Sequence, residues 1–304
     1  MAKENLKPNE VGATLFVGVG GIGSKIINGI ASRAVNDNID SVRFCVLDTD
    51  VNDMSKLSNA AMLGMIQTSS PRSIKDYLAN DTHAKKHWFP ENRILDDKTV
   101  SEGAGQIRAI SRLAINATIK QGNITTLYKC IDELYLKDGA DKKQAVKVVI
   151  ASTAAGGTGS GIAMIAGMLV RQYIRKNYPE SAAIIRGLLL LPSVMDTVID
   201  TESERESLRR NGYASIKEIN AFMMKGSGFF DSVPELRRYK DLHISVPTTA
   251  AGFDRLDCLP FDFCFLMDRA DSNQGSMQTL TQYIESASQS LYEQNIGPMK
   301  KGAS

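Results

Sequence analysis

The chain has 304 residues, 43% of them hydrophobic, which is enough for one large α/β domain or two smaller ones with a real core. A formal net charge of +2 argues against a general nucleic-acid binder. No apolar stretch reaches the roughly 20 residues of a membrane-spanning helix, and the polar start "MAKENLKPNE" does not resemble a signal peptide. Four cysteines without a CxxC pair favour buried free thiols and a cytoplasmic protein.

Predicted strands and helices alternate along most of the chain. The predicted strands occupy residues 13–19, 41–48, 145–152, 182–192 and 261–268. The predicted helices occupy residues 24–35, 106–119, 162–177, 204–223 and 276–294. Residues 52–100 indicate short helices and loops, and residues 224–259 indicate an insertion with an edge hairpin. Apolar strands between amphipathic helices predict an α/β fold, a mostly parallel sheet with helices on both faces.

In such sheets ligands bind beyond the carboxyl ends of the strands, so the loops there carry the candidate chemistry. The first strand ends in "GVGGIGS", residues 18–24, which fits the phosphate-loop pattern G-x-G-x-x-G. Tight packing of strand against helix is the other interpretation of these glycines. The second strand ends in Asp48, Thr49 and Asp50. An acid there would accept ribose hydroxyls or act on a metal through water, or else it caps a helix.

The stretch "ASTAAGGTGSG", residues 151–161, places four glycines between a buried strand and a helix. Glycine loses conformational entropy on folding, so such a run favours close approach of the backbone to a ligand. At a helix N-terminus that ligand is usually an anion. We expect backbone N–H groups of residues 156–161, with the hydroxyls of Thr158 and Ser160, to face phosphates. With "SEGAGQ" at 101–106 as a further candidate loop, the pattern predicts a triphosphate held from several sides.

The order of these motifs resembles the tubulin/FtsZ superfamily of GTP-binding filament proteins. "AGGTGSG" at 155–161 departs from the family's G-G-G-T-G-S-G only at Ala155. Residues 18–24 are similar to the FtsZ loop that meets the phosphates, residues 48–50 to its "NTD" segment, and residues 103–105 to the loop that senses the γ-phosphate. The resemblance spans roughly residues 12–292 and implies a Rossmann-like GTPase domain.

The resemblance also implies contacts to the ribose and the base. Glu206 and Arg210 have the spacing of the family's Glu and Arg; Glu204 and Arg209 are alternatives, and a solvated helix face is the other interpretation. Asn273 has the position of the residue that reads the guanine edge. The candidate nucleotide-binding residues are therefore Gly20, Gly21, Ile22, Ser24, Asp48, Thr49, Asp50, Gly103, Ala104, Gly105, Ala155, Gly156, Gly157, Thr158, Gly159, Ser160, Glu206, Arg210 and Asn273.

By the same resemblance we expect a divergent bacterial protein that binds GTP or GDP, with Mg²⁺ held through the phosphates rather than by the protein. Subunits would join head to tail through the nucleotide face, and the catalytic acid would come from the neighbouring subunit. We expect residues 1–292 to form the nucleotide-binding domain and residues 293–304 to begin a catalytic loop or a truncated tail. The family's second domain is missing, so we expect a piece of a longer protein with weak turnover.

Three other functions are compatible with parts of the sequence. In a Rossmann oxidoreductase, residues 18–23 would bind the pyrophosphate, and Asp48, 25 residues after Gly23, would bind the ribose. An adenylyltransferase of the ubiquitin-activating type also has the first loop and the acidic strand end, but usually carries two CxxC pairs. Neither function explains residues 155–161. A structural protein that binds GTP without turnover is the non-enzymatic alternative.

Overall fold

The structure is a computed structural model that describes residues 12–69, 72–99, 103–136, 146–228, 232–269 and 279–297. Its core is a six-stranded parallel sheet, which confirms the predicted α/β fold. The strands in chain order are β1 (Thr14–Val19), β2 (Val42–Asp48), β3 (Leu63–Gln67), β4 (Val146–Thr153), β5 (Ala183–Leu190), β6 (Ile244–Pro247), β7 (Phe253–Leu256) and β8 (Phe263–Met267). Strands β6 and β7 form an antiparallel hairpin, as predicted, but this hairpin is a separate two-stranded sheet and not an edge of the main sheet.

The sheet has the order β3-β2-β1-β4-β5-β8. From β1 the chain proceeds to one side through β2 and β3, and from β4 it proceeds to the other side through β5 and β8. The boundary between β1 and β4 is therefore the topological switch point, where doubly wound sheets bind their ligands.

Helices cover both faces of the sheet. The helices are α1 (Gly20–Asn36), α2 (Val51–Ser55), α3 (Ile74–Asn80), α4 (Thr82–His87), α5 (Arg93–Asp96), α6 (Arg108–Lys120), α7 (Thr125–Leu136), α8 (Gly157–Asn177), α9 (Pro192–Met195), α10 (Glu202–Gly226) and α11 (Leu280–Asn295). Alternate residues of β1 divide the core: Leu15 and Val17 pack with α6, α7 and α8, whereas Phe16 packs with α1 and α11. Within the described residues, no helix is long and apolar enough to cross a membrane.

The structure differs from the sequence-based expectation at five elements. Strand β3 and helices α7 and α9 were not predicted. Helices α1 and α8 begin at Gly20 and Gly157, four and five residues before the predicted starts. The glycine-rich stretches are therefore first helical turns as well as loops. Glycine lowers helix propensity by about 1 kcal/mol relative to Ala, so the sequence favoured a later start for both helices.

Candidate functional site

The predicted loops converge at the carboxyl edge of the sheet, around the switch point. Residues 20–24 open α1 directly after β1, and residues 48–50 join β2 to α2. Residues 103–105 precede α6, and residues 155–160 join β4 to the first turn of α8. Because all these strands are parallel, the elements that follow them lie at one edge, as the sequence predicts.

Thr49 joins three of these loops. Its Oγ1 lies 2.6 Å from Oγ1 of Thr158, and it accepts a hydrogen bond from the backbone N–H of Ala104 at 3.0 Å. Thr49 is 1% exposed. The hydroxyl pair therefore fixes the loop after β2, the loop before α6 and the start of α8 against one another.

The start of α1 meets the start of α8 through two glycines. Gly20 has φ +73°, a conformation that favours glycine, and a Cβ added there would lie 3.0 Å from the backbone nitrogen of Gly159. Any larger residue at position 20 would therefore be strained and would separate the two helix starts. Both the packing and the ligand interpretation of these glycines remain compatible with this geometry.

Three helices of more than two turns that begin at this edge lack a side-chain cap, as does the single-turn helix α9 after β5. The N-cap residues of α1, α6 and α8 are Val19, Ile107 and Gly156, and none accepts a backbone hydrogen bond through its side chain. By contrast, side chains cap helices α2, α3, α4, α5, α10 and α11. Uncapped N–H groups and the positive ends of three helix dipoles thus face one region, which is the arrangement that binds anions.

Asp48 is the buried acid of the site, with 2% of its surface exposed. Its Oδ1 accepts hydrogen bonds from the backbone N–H groups of Thr49 (2.7 Å) and Asp50 (3.3 Å). Its Oδ2 is buried and has no hydrogen-bond partner within the described residues. Burial raises the pKa of Asp48 to about 6, although the two backbone hydrogen bonds act in the opposite direction. One oxygen of this carboxyl group is therefore left for a further donor or ion.

The helix-cap interpretation applies to Asp50, which accepts a hydrogen bond from the backbone N–H of Asn52 and caps α2.

The two serine hydroxyls predicted to bind the nucleotide have different environments. Ser160 donates its hydroxyl proton to the carbonyl of Gly156, the N-cap residue of α8. The hydroxyl oxygen of Ser24 is buried and unpartnered within the described residues.

The structure adds two site residues that the sequence analysis missed. Asn211, on α10, donates through Nδ2 to the carbonyls of Gln106 (2.8 Å) and Ala155 (3.0 Å). Arg108 donates through Nε and Nη2 to the carbonyl of Ser160. Asn211 is half-buried and lies three residues after Leu208 and four before Ser215, two buried positions of α10. A polar residue at helical spacing within an apolar stripe was therefore the available signal.

The predicted base and ribose contacts stay predictions. Glu206 and Arg210 pair with each other at 2.5 Å, and their side chains are 58% and 74% exposed. Arg209, the alternative, pairs with Glu202 and lies 3.5 Å from Asp196. Asn273, residues 101–102 and residues 298–304 lie outside the described residues.

In the part of the chain that the structure describes, no three His, Cys, Asp or Glu side chains form a cluster that could hold a metal ion. Mg²⁺ commonly binds through substrate phosphates, waters and one or two carboxylates rather than in an all-protein cage. The free Oδ2 of Asp48 fits this mode. The residues present are thus compatible with Mg²⁺ that arrives with a phosphate ligand.

The fold and the converging loops define a doubly wound α/β protein with glycine-rich helix starts at the carboxyl edge of its sheet. A protein-family model described as "Tubulin like" matches residues 15–303. Because this match covers more than half of the chain, the chain belongs to the tubulin-like family. No curated protein matches it in sequence.

Solved structures of low identity align with most of this chain. The GDP-form protofilament of Bacillus thuringiensis serovar israelensis TubZ is 15% identical, with a TM-score of 0.49, over 97% of this chain and 57% of that one. The GTPγS-bound protofilament of CetZ2 from Haloferax volcanii is 13% identical, with a TM-score of 0.45, over 92% of this chain and 57% of that one. The chain thus spans somewhat more than half the length of these structures.

Proposed function

We propose that the chain binds GTP or GDP, together with Mg²⁺, at the carboxyl edge of its sheet. The observation that carries the proposal is the convergence of three uncapped helix N-termini around the Thr49–Thr158 hydroxyl pair. Backbone N–H groups there match the oxygens of a phosphate chain in both charge and geometry. Membership of a tubulin-like family makes a guanine nucleotide the first ligand to test.

In this proposal each loop has one role. Gly20, Gly21 and Ile22 offer backbone N–H groups at the start of α1, near the buried hydroxyl of Ser24. Residues 156–160 do the same at the start of α8, and Ala155 is held in place by Asn211. Residues 103–105 approach from the start of α6, where Ala104 is bonded to Thr49. Glu206, Arg210 and Asn273 remain the proposed contacts to ribose and base.

Asp48 and Asp50 are the proposed acids nearest the metal. Mg²⁺, when bound, would neutralise phosphate charge and polarise the phosphorus–oxygen bond that breaks. The role of this chain is positional: its backbone amides hold the phosphates, and the free Oδ2 of Asp48 accepts from a water or interacts with the ion. A covalent step at a side chain is not part of the proposal.

For the whole protein we propose a cytoplasmic GTPase that assembles head to tail through the nucleotide face. The basis for proposing this activity and this assembly is the membership of the chain in the tubulin-like family. In this scheme the acid that activates water comes from the next subunit, so the isolated chain, with residues up to about 292 as its nucleotide-binding domain, turns over GTP slowly. Nucleotide binding by the chain itself does not depend on assembly and is the part to test first.

The test replaces Thr158 with Val, which keeps the side-chain volume and removes the hydroxyl. We expect GTP affinity to fall by roughly tenfold or more, because one hydrogen bond near charged phosphates is lost and the bond to Thr49 is broken. Fluorescence titration with a labelled GTP analogue measures the affinity. Thr249→Val, in the exposed turn between β6 and β7, is the matched control and should bind like the parent. Equal affinity in all three proteins would contradict the proposed site.

A further inference from the structure

A second cavity lies behind the glycine-rich start of α8, on the side of the helix that faces α6 and α10. Its volume is about 270 Å³. Its polar lining consists of Trp88, Arg108, Arg112 and Glu218, and its apolar lining consists of Ala109, Gly161, Met164, Ile165 and Ile244. Arg108 is shared with the site described above, since it bonds the carbonyl of Ser160. The other lining residues lie outside the proposed nucleotide-binding set.

The guanidinium of Arg112 is the unbalanced group in this cavity. It stacks over the ring of Trp88, with 4.1 Å between Cζ and the ring centroid. Its Nε is buried and has no hydrogen-bond partner, and no carboxylate forms an ion pair with it within the described residues. Burial lowers the pKa of Arg112 to about 10, which reflects the cost of a poorly solvated cation. Arg112 is half-buried. Because charges that are partly removed from water are usually paired, the cavity in front of Arg112 favours an anion.

The other charged groups of the cavity are already engaged with each other. Arg108 holds Glu218 through both terminal nitrogens of its guanidinium and also bonds the carbonyl of Ser160. Glu218 also attracts Arg112 electrostatically, but its hydrogen bonds go to Arg108. Two arginines and one glutamate therefore leave the cavity with a net positive charge of one. An anion with a single charge would balance this net charge.

We propose that this cavity binds a small carboxylate with a short apolar or aromatic tail. A carboxylate is singly charged and planar, and it matches the donor fork of a guanidinium. The tail would contact Met164, Ile165 and Ile244, which are apolar, beside the Arg112–Trp88 stack. The volume lies below the roughly 300 Å³ at which pockets for drug-sized ligands begin, so the tail has few carbons.

The test uses calorimetric titration of the nucleotide-free chain with benzoate, with uncharged benzyl alcohol as the matched probe. We expect benzoate to bind the parent chain and benzyl alcohol to bind at least about tenfold more weakly, as expected for loss of a charge-assisted hydrogen bond. Arg112→Gln should weaken benzoate binding by a similar factor. Arg93→Gln, an exposed arginine on α5, should leave it unchanged.

Three results would overturn the proposal. The first is no benzoate binding by the parent chain, and the second is equal binding of benzoate and benzyl alcohol. The third is inorganic phosphate binding as tightly as benzoate, which would indicate a general anion site. The first two comparisons use only the parent chain, so they decide the question even if Arg112→Gln fails to fold. Because no nucleotide is present, failure here leaves the proposed GTP site untouched.

Discussion

At the scale of single residues, Asp48 and Thr49 have different roles in the same loop. Thr49 is fully engaged, with Thr158 and Ala104 as partners. Asp48 keeps one buried oxygen without a partner among the described residues. Thr49 therefore supports the geometry of the site, whereas Asp48 is available to a ligand.

Asp48 should make the nucleotide-free chain less stable as pH rises. Its pKa is raised from 3.8 to about 6 in the folded chain, so the folded state holds the proton more tightly than the unfolded state. The resulting stabilisation is fully present below about pH 4 and is lost as pH rises through about 6, by about 3 kcal/mol in total. Chemical denaturation between pH 4 and 8 should show this loss in the parent chain and not in Asp48→Asn.

The control for this prediction is Asp254→Asn, which changes an exposed acid in β7. It should follow the pH profile of the parent chain. Parallel profiles for the parent chain and Asp48→Asn would show that Asp48 does not carry a raised pKa.

At the scale of elements, α10 holds the site together from outside the sheet. Asn211 bonds the carbonyls of Gln106 and Ala155, which lie in two different loops, and Glu218 reaches Arg108 at the start of α6. One helix thus fixes the start of α6 relative to the start of α8.

Asn211→Ala should lower both stability and nucleotide affinity. Two backbone carbonyls would lose their donor, at a cost of about 1–3 kcal/mol in the free energy of unfolding. Nucleotide affinity should fall as well, because the two loops are no longer held at one distance. Urea unfolding and labelled-GTP titration measure the two effects.

Asn220→Ala, on the exposed side of the same helix, is the matched control and should change neither quantity. If Asn211→Ala lost stability but bound GTP as tightly as the parent chain, α10 would support the fold without positioning the loops.

The elements also show which features the sequence could predict. The period of apolar residues located five of the six sheet strands and the long helices, because buried faces leave a clear pattern. The sequence pattern did not predict strand β3, because it is a short edge strand whose burial does not alternate. Helix α7 was predictable, since Leu127, Ile131 and Leu134 have helical spacing. The early start of α8 was not predictable, because the low helix propensity of glycine disfavours a helix over these residues.

At the scale of the whole molecule, the strand order alone does not determine the ligand. The order around the switch point between β1 and β4 is that of many doubly wound proteins, including dinucleotide-binding enzymes. What distinguishes this chain is the glycine-rich start of α8, bonded to the loop after β2. The sequence could predict that these loops meet, since parallel strands share an edge. It could not predict the hydrogen-bond partners of Asn211 or the Arg112 cavity, because both depend on how α6, α8 and α10 pack.

The central claim, that this edge binds a guanine nucleotide, is tested most directly by thermal unfolding of the chain with Mg²⁺ and, separately, GTP, GDP, ATP and NAD. A ligand at a hundred times its dissociation constant stabilises the folded state by about 2.7 kcal/mol, which gives a clear rise in Tm. The proposed guanine-nucleotide site should give a rise with GTP and GDP and none with ATP or NAD. A rise with NAD or ATP alone would contradict it and would identify residues 18–24 as the loop of a different nucleotide-binding protein.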